Sequence, residues 1–133
     1  MNNAIFPEHI ELECGPVTAV DLALYAAASG DHNPLHLDTD VARAAGFEKP
    51  LVHGMLTMAY AGRLLTETFG LLALQSLATR FVGAARLGDT IVLQGTLTGV
   101  TGDVGSYRLL AQNGAGSELL TGLAKVKIST GPC

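Results

Sequence analysis

The sequence contains no tryptophan and only two cysteines, Cys14 and Cys133. Two thiols are too few for a disulfide framework, and they lie at no metal-ligand spacing. The chain also lacks an uninterrupted apolar stretch of the ~18 residues that a membrane span needs. Its start, Met-Asn-Asn-Ala, has neither the basic region nor the apolar run of a signal peptide. These absences predict a cytoplasmic protein with no membrane partner.

Charge is also sparse, because charged residues make up 15% of the chain and the formal net charge is −4. No basic stripe is present, so we expect no nucleic-acid partner. Apolar residues are 48% of the 133 residues. That content suits a single domain over residues 1–133, which buries about two-thirds of its unfolded surface. The weakly charged exterior leaves apolar surface for a partner chain, and we expect a homodimer.

The hydrophobic pattern of the first half predicts one strand and three helical segments. Polar and apolar residues alternate over 8–14, which is typical of a half-buried strand. Thr18 is the expected N-cap of a helix over 19–28, and a short helical segment over 39–45 should follow. Residues 51–69 are apolar on every side, a pattern that predicts a long, buried helix.

In the second half the period of the apolar residues changes to two, which predicts four strands separated by turns. The turn signals lie at Gly88-Asp89, 101–103 and 113–114. One strand before the long helix and four after it predict an α+β fold. In this fold an antiparallel sheet of about five strands wraps around a long central apolar helix.

Residues 29–38, Ser-Gly-Asp-His-Asn-Pro-Leu-His-Leu-Asp, place an acid, a base and an amide beside two turn formers. Pro34 biases the residue before it toward extended backbone, so Asp31 and His36 cannot share one regular helix. A shaped loop can direct both side chains at the same small molecule. The alternative interpretation is a simple turn, since Gly, Asp, Asn and Pro are all common there. A turn alone does not require His36.

The run Gly-Asp-His-Asn-Pro-Leu-His at 30–36, followed by Val-His-Gly-Met at 52–55, resembles the MaoC-like family of R-specific enoyl-CoA hydratases. The resemblance extends to Phe81 and to the Gly-Asp pair at 88–89. It implies the hot-dog fold, a homodimer, and the reversible hydration of trans-2-enoyl-CoA to (R)-3-hydroxyacyl-CoA. CoA is then part of the substrate and no cofactor is expected. The resemblance also implies a role in fatty acid metabolism and in polyhydroxyalkanoate precursor supply.

Carried over residue by residue, the resemblance implies that Asp31 and His36 are the catalytic acid and base. It assigns Asn33 to support of the site and the backbone N–H of Gly54 to the thioester oxygen. The predicted acyl tunnel lies around Met55, Tyr60, Gly62 and Leu65.

The chain departs from the family pattern after Phe81. Many members have a basic residue and then a proline there, whereas this chain has Val82 and Ala84. The contacts to the CoA phosphates must then come from elsewhere, and Arg80 and Arg86 are the candidates.

Hydration of an enoyl thioester requires a base for the water, an acid for C2 and a donor for the oxygen that becomes negative. Positioned proton transfer typically contributes ~10²- to 10⁴-fold. Gly54 suits the donor role, because a helix start has free N–H groups and glycine has no side chain to obstruct approach. The alternative for Gly54 is tight packing at the helix start.

Three alternatives to a hydratase remain open at this stage. His32, His36 and His53 with nearby Asp residues are a weak candidate for a metal site, because Pro34 interrupts the helix that the spacing needs. We therefore predict no metal, and we expect His53 to brace the start of the long helix. A hot-dog thioesterase would need a carboxylate near the thioester carbonyl, and the long helix offers only Glu67. A non-catalytic acyl-CoA-binding module would not require both an acid and a base.

Overall fold

The structure, a computed structural model, describes residues 5–128 of the chain. Its strands are β1 (His9–Cys14), β2 (Leu74–Phe81), β3 (Ile91–Thr101), β4 (Val104–Asn113) and β5 (Glu118–Lys127). They form one antiparallel sheet in the spatial order β1-β3-β4-β5-β2. The α+β class and the hot-dog arrangement of a five-stranded sheet around a long helix are confirmed.

Three α-helices accompany the sheet, α1 (Ala19–Ser29), α2 (Thr39–Ala44) and α3 (Gly54–Phe69). Thr18 caps α1 as predicted: its side chain accepts from the Asp21 N–H, while the Asp21 carboxylate accepts from the Thr18 N–H. This capping box satisfies two donors at the helix start. α1 ends at Gly30, whose φ of +80° suits a residue without a side chain. Within residues 5–128, no helix combines the length and the apolar character that crossing a bilayer requires.

The start of α3 differs from the prediction. The helix begins at Gly54 and not at residue 51. The N–H groups of Leu51 and Val52 donate to carbonyls outside the helix, and Leu51 forms an isolated antiparallel bridge with Arg86. These backbone groups are held in extended chain, so the helix cannot include them.

The prediction that α3 is buried on every side is wrong. Leu64 and Leu65 are 1% and 0% exposed, but Met55 is 53% exposed and the Arg63 side chain 57%. The sheet covers one side of the helix only. The opposite side therefore remains open in a single chain.

The core lies between α3 and the inner face of the sheet. Successive residues of a strand point to opposite faces, and the inward-facing Leu93, Leu109 and Leu120 are at most 2% exposed. Tyr107 is fully buried, and its hydroxyl donates to the carbonyl oxygen of Pro7 at 2.7 Å. Burial raises the pKa of Tyr107 to about 12. The core therefore contains a neutral phenol with a satisfied hydroxyl.

Strand β2 forms one edge of the sheet. It pairs with β5 alone, and its register shifts between Leu74 and Ser76. Leu71 and Leu72, which precede it, are 84% and 95% exposed. An open strand beside two exposed leucines is the kind of surface that a partner chain covers.

Candidate active site

Local hydrogen bonds shape the loop that follows α1. Asp31 Oδ1 accepts from the Asn33 N–H at 3.3 Å, and Asn33 Oδ1 accepts from the Leu35 N–H at 3.0 Å. The Asn33 side chain thus caps a 3₁₀ turn over Pro34–His36. Its oxygen accepts a backbone hydrogen bond, and its NH₂ group is available to donate to a substrate.

The ring of His36 is held by a backbone carbonyl. His36 Nδ1 lies 2.8 Å from the carbonyl oxygen of Leu51. A carbonyl oxygen can only accept a hydrogen bond, so Nδ1 carries the proton of the neutral imidazole. Nε2 is then left with its lone pair, which is the state that a general base requires.

The free nitrogen of His36 faces the second carboxylate oxygen of Asp31. His36 Nε2 and Asp31 Oδ2 are 3.7 Å apart, beyond the range of a direct hydrogen bond. The His36 side chain is 15% exposed and that of Asp31 is 50% exposed. The structure therefore brings the predicted acid and base together with one side of the pair open to solvent.

His53 lies beneath this pair. The residue is 1% exposed, and its Nε2 is 3.2 Å from the carbonyl oxygen of Asp31. Its ring stacks on His36 with centroids 3.8 Å apart and planes 20° apart, and Tyr25 meets it edge-on at 4.8 Å. Burial lowers the pKa of His53, partly offset by the bond to Asp31. His53 is thus a neutral ring with its proton on Nε2.

Gly54 is the first residue of α3 and is exposed. Its N–H precedes the first intrahelical bonds, so it is free for a ligand. A Cβ added at Gly54 would lie 3.6 Å from the Phe81 ring, an ordinary van der Waals contact. Packing inside the chain therefore does not require glycine here, contrary to the tight-packing alternative.

The predicted tunnel residues occupy different environments along α3. Met55 is 53% exposed, Tyr60 and Gly62 are half-buried, and Leu65 is 0% exposed. Leu65 is thus a core residue in the single chain, whereas Met55 is open to solvent, and the acyl tunnel around the four residues stays a prediction.

The two candidate arginines lie in different places: Arg80 in strand β2, and Arg86 in the segment that follows it. Phe81 points inward to Gly54, so its neighbour Arg80 points to the outer face of the sheet. There it lines a shallow depression of about 450 Å³ together with Arg108. Arg86 instead pairs with Leu51, the residue that holds His36. The structure brings Arg86 near the acid-base loop and leaves Arg80 on the far side of the sheet.

Asp31, His36 and His53 offer metal-ligand atoms that all lie within 4.8 Å of one another. Two imidazoles and a carboxylate are a donor set that Zn²⁺ or Fe²⁺ accepts. The two rings are stacked, however, so their in-plane lone pairs run side by side and do not converge. The arrangement fits proton transfer better than metal binding. His32, which the sequence had included, is exposed.

Two contributors to the site were missed from the sequence. One is the carbonyl oxygen of Leu51, and the other is the Tyr25 ring. Every residue has a carbonyl oxygen, so the amino-acid type at position 51 does not indicate this contact. Tyr25 lies within the predicted helix, and nothing in the sequence distinguishes it from its neighbours there. Neither contact has a local sequence pattern.

The fold and the acid-base loop together define a MaoC-like domain. The family model described as "MaoC like domain" matches residues 8–111. The chain therefore belongs to the MaoC-like domain family.

Among the proteins to which this chain is similar are two curated relatives and one solved structure. A mitochondrial 3-hydroxyacyl-[acyl-carrier-protein] dehydratase of Arabidopsis thaliana is 40% identical over 72 residues, 54% of this chain and 43% of that protein. Peroxisomal enoyl-CoA hydratase 2 of the same plant is 31% identical over 90 residues, 65% of this chain and 29% of that protein. The chain thus spans less than half the length of these relatives.

The solved structure is an (R)-hydratase from Aeromonas caviae that is involved in PHA biosynthesis. It superposes with a TM-score of 0.83 at 27% identity, and the match covers 91% of this chain and 94% of that one. Because the match covers nearly all of both chains, the two proteins share the same fold.

Proposed function

We propose that this chain catalyses the reversible, R-specific hydration of trans-2-enoyl-CoA to (R)-3-hydroxyacyl-CoA. The observation that carries the proposal is the 3.7 Å approach of His36 Nε2 to Asp31 Oδ2, with Nδ1 of His36 committed to the Leu51 carbonyl. A water molecule beside the two atoms can hydrogen-bond to both. The name of the A. caviae structure supports the R configuration.

The reaction adds one hydrogen and one hydroxyl to the double bond. As the water oxygen bonds to C3, the Asp31–His36 pair takes one proton from the water. The pair then delivers one proton to C2, so it ends with the same number of protons as it had at the start. Either direction of the reaction uses the same two groups. Positioned proton transfer of this kind contributes ~10²- to 10⁴-fold.

The Gly54 N–H is the proposed donor to the thioester oxygen, on which negative charge builds. It lies at the start of α3, where free N–H groups and the helix dipole favour an anion. A preorganised donor of this type is worth on the order of 3 kcal/mol. The alpha carbon of Gly54 leaves room for a thioester to approach.

A thioesterase is less consistent with the structure. Its candidate carboxylate, Glu67, lies 13 positions after Gly54 on α3, about 20 Å along the helix at ~1.5 Å per residue. Glu67 also pairs with Arg63 on the exposed side of the helix. No thioester carbonyl can contact both Gly54 and Glu67 of the same chain.

The proposal includes a homodimer, supported by the open edge of β2 and the exposed Leu71 and Leu72. A single domain over 1–133, the absence of a cofactor, metal, nucleic-acid or membrane partner, and a cytoplasmic location stay predictions. The role in polyhydroxyalkanoate supply stays a prediction as well. The names of two relatives place one in the mitochondrion and the other in the peroxisome.

The test follows absorbance at the enoyl-thioester band with purified protein and a panel of short and medium enoyl-CoAs. Loss of the band without release of free thiol identifies hydration, and chiral analysis of the product should give the R isomer. Release of thiol would identify a thioesterase. The same acyl groups on acyl carrier protein test the alternative suggested by the Arabidopsis dehydratase. A large preference for carrier-bound substrate would replace CoA by the carrier in the proposal.

A further inference from the structure

We propose that His53 is a positioning residue that fixes the orientation of Asp31 and His36 relative to each other. The inference deepens the proposed hydratase function and rests on it. His53 contacts the acid through its backbone and the base through its ring: its Nε2 lies 3.2 Å from the Asp31 carbonyl, and its ring stacks on His36 at 3.8 Å.

His53 cannot act on the substrate directly. The residue is 1% exposed, and its Nδ1 is fully buried without a hydrogen-bond partner among residues 5–128. Its Nε2 proton is already donated to the Asp31 carbonyl. Any effect of His53 on the reaction must therefore pass through the groups that it holds.

The two hydrogen bonds fix opposite tautomers in the stacked rings. His36 has its proton on Nδ1, donated to Leu51, and His53 has its proton on Nε2, donated to Asp31. The ring of His36 becomes charged when it takes a proton during turnover. A neutral His53 beneath it avoids the repulsion that a second imidazolium would cause.

His53 also connects the pair to the proposed oxyanion donor. It is the N-cap residue of α3, and its carbonyl accepts from the N–H groups of Leu56 and Thr57 at 3.0 and 3.3 Å. Gly54 follows it directly in the chain. Rotation of this one residue would therefore disturb the acid, the base and the N–H donor together.

Within the part of the chain that the structure describes, three titratable residues contact His53. Asp31 and His36 approach from the loop, and Tyr25 approaches from α1. A change in the ring of His53 should thus be read out in the ionisation of the Asp31–His36 pair, which the pH profile of kcat/KM reports.

Three variants of His53 test its two contacts separately, the hydrogen bond to the Asp31 carbonyl and the stacking on His36. His53→Phe keeps a ring against His36 but has no N–H donor, and His53→Gln keeps a donor but has no ring. His53→Ala lacks both. We expect kcat for crotonyl-CoA hydration to fall about 10- to 100-fold in His53→Phe and His53→Gln and further in His53→Ala, because small misplacement of reacting groups is costly. KM should change less than kcat, and the pH profile should shift.

The control variant is His32→Ala, which removes an exposed histidine from the same loop and should retain wild-type kcat. Wild-type kcat and an unchanged pH profile in both His53→Phe and His53→Gln would overturn the proposal. So would a loss that appears only in KM.

A measurement on the wild-type protein covers the case in which the variants do not fold. Nitrogen-15 NMR of the histidine rings should show His53 with its proton on Nε2 and His36 with its proton on Nδ1 at pH 7. A charged His53, or the opposite tautomer, would overturn the proposal. If the wild-type protein hydrates no enoyl thioester, the proposed function fails, whereas the NMR result still decides whether the two rings are arranged as inferred.

Discussion

Each nitrogen of His36 has a separate task. Nδ1 is committed to the Leu51 carbonyl at 2.8 Å, and Nε2 faces Asp31 at 3.7 Å. The imidazole can therefore change its charge at Nε2 without turning. A base that must not rotate during the reaction is well served by a fixed backbone partner.

We expect Asp31→Asn and His36→Ala each to reduce crotonyl-CoA hydration at least ~100-fold, because each removes one half of the proton-transfer pair. Asp31 is half exposed, and His36 lies in the loop and outside the hydrophobic core, so the fold should persist. Steady-state kinetics of the two variants measure the activity, and circular dichroism shows whether the fold is retained. Near-normal turnover in either one would reject its catalytic role.

The buried ring of His53 predicts how stability depends on pH. Its pKa lies below the ordinary value of 6.5, mainly because burial disfavours the charged ring. The unfolded chain therefore binds this proton more readily than the folded one. The stability contribution is complete above about pH 6.5 and is lost as the pH falls toward the lower, folded-state pKa.

Denaturant unfolding at several pH values between 5 and 8 tests whether stability falls as the pH is lowered. The wild-type protein should lose free energy of unfolding as the pH falls through this range, and the slope should be smaller in His53→Phe. An equal slope in both proteins would show that another group causes the loss.

At the scale of elements, α3 contains one glycine at the proposed site and another in the middle of the helix. Gly54 and Gly62 both lie in α3, and a Cβ at either meets its nearest neighbour at ordinary distance, 3.6 Å from Phe81 and 3.9 Å from Leu77. Alanine in a helix is favoured over glycine by roughly 0.5–1 kcal/mol.

We therefore expect Gly54→Ala and Gly62→Ala to fold with equal or higher stability. Gly54→Ala should lose most of its activity, because a methyl group obstructs the thioester oxygen, while Gly62→Ala changes activity much less. Thermal unfolding and kcat/KM of the pair measure the two effects separately. Full activity in Gly54→Ala would remove Gly54 from the site.

Elements defined by local signals could be predicted from the sequence. Thr18 with Asp21 caps α1, and Asp38 caps α2 by accepting from the N–H groups of Asp40 and Val41. Each of these contacts spans three residues or fewer. The acid-base loop belongs to the same class, because Asp31, Asn33 and Pro34 shape it by themselves.

Features that depend on distant contacts could not be predicted. Residue 51 looked helical, but bonding to Leu35 and a bridge to Arg86 keep it extended. Nothing in the sequence favoured Arg80 over Arg86. In the structure, side chains alternate between the two faces of β2, and Arg80 lies on the outer face of the sheet. The exposed side of α3 depends on which side the sheet covers, which composition does not specify.

For the whole molecule, assembly into a homodimer through the open edge of β2 stays a prediction. Exposed sheet edges next to apolar side chains promote association. We expect light scattering to give about twice the chain mass of 13.8 kDa. A clean monomer would contradict the predicted homodimer.

A pair of matched variants locates the interface. Leu72→Glu places a charge beside the edge of β2 and should favour the monomer. Leu24→Glu places the same charge at an exposed leucine of α1, which is 65% exposed, and should leave the dimer intact. The reverse outcome would move the interface from the sheet edge to α1.

The support of His36 by the Leu51 carbonyl has a consequence for directed evolution. Every amino acid carries a carbonyl oxygen, so no codon change at position 51 can delete that support. Proline is the one residue that should not be placed there, because it has no N–H, and the Leu51 N–H donates to the carbonyl oxygen of Leu35. A library randomised at this position, with proline excluded, should therefore keep the imidazole of His36 in its alignment.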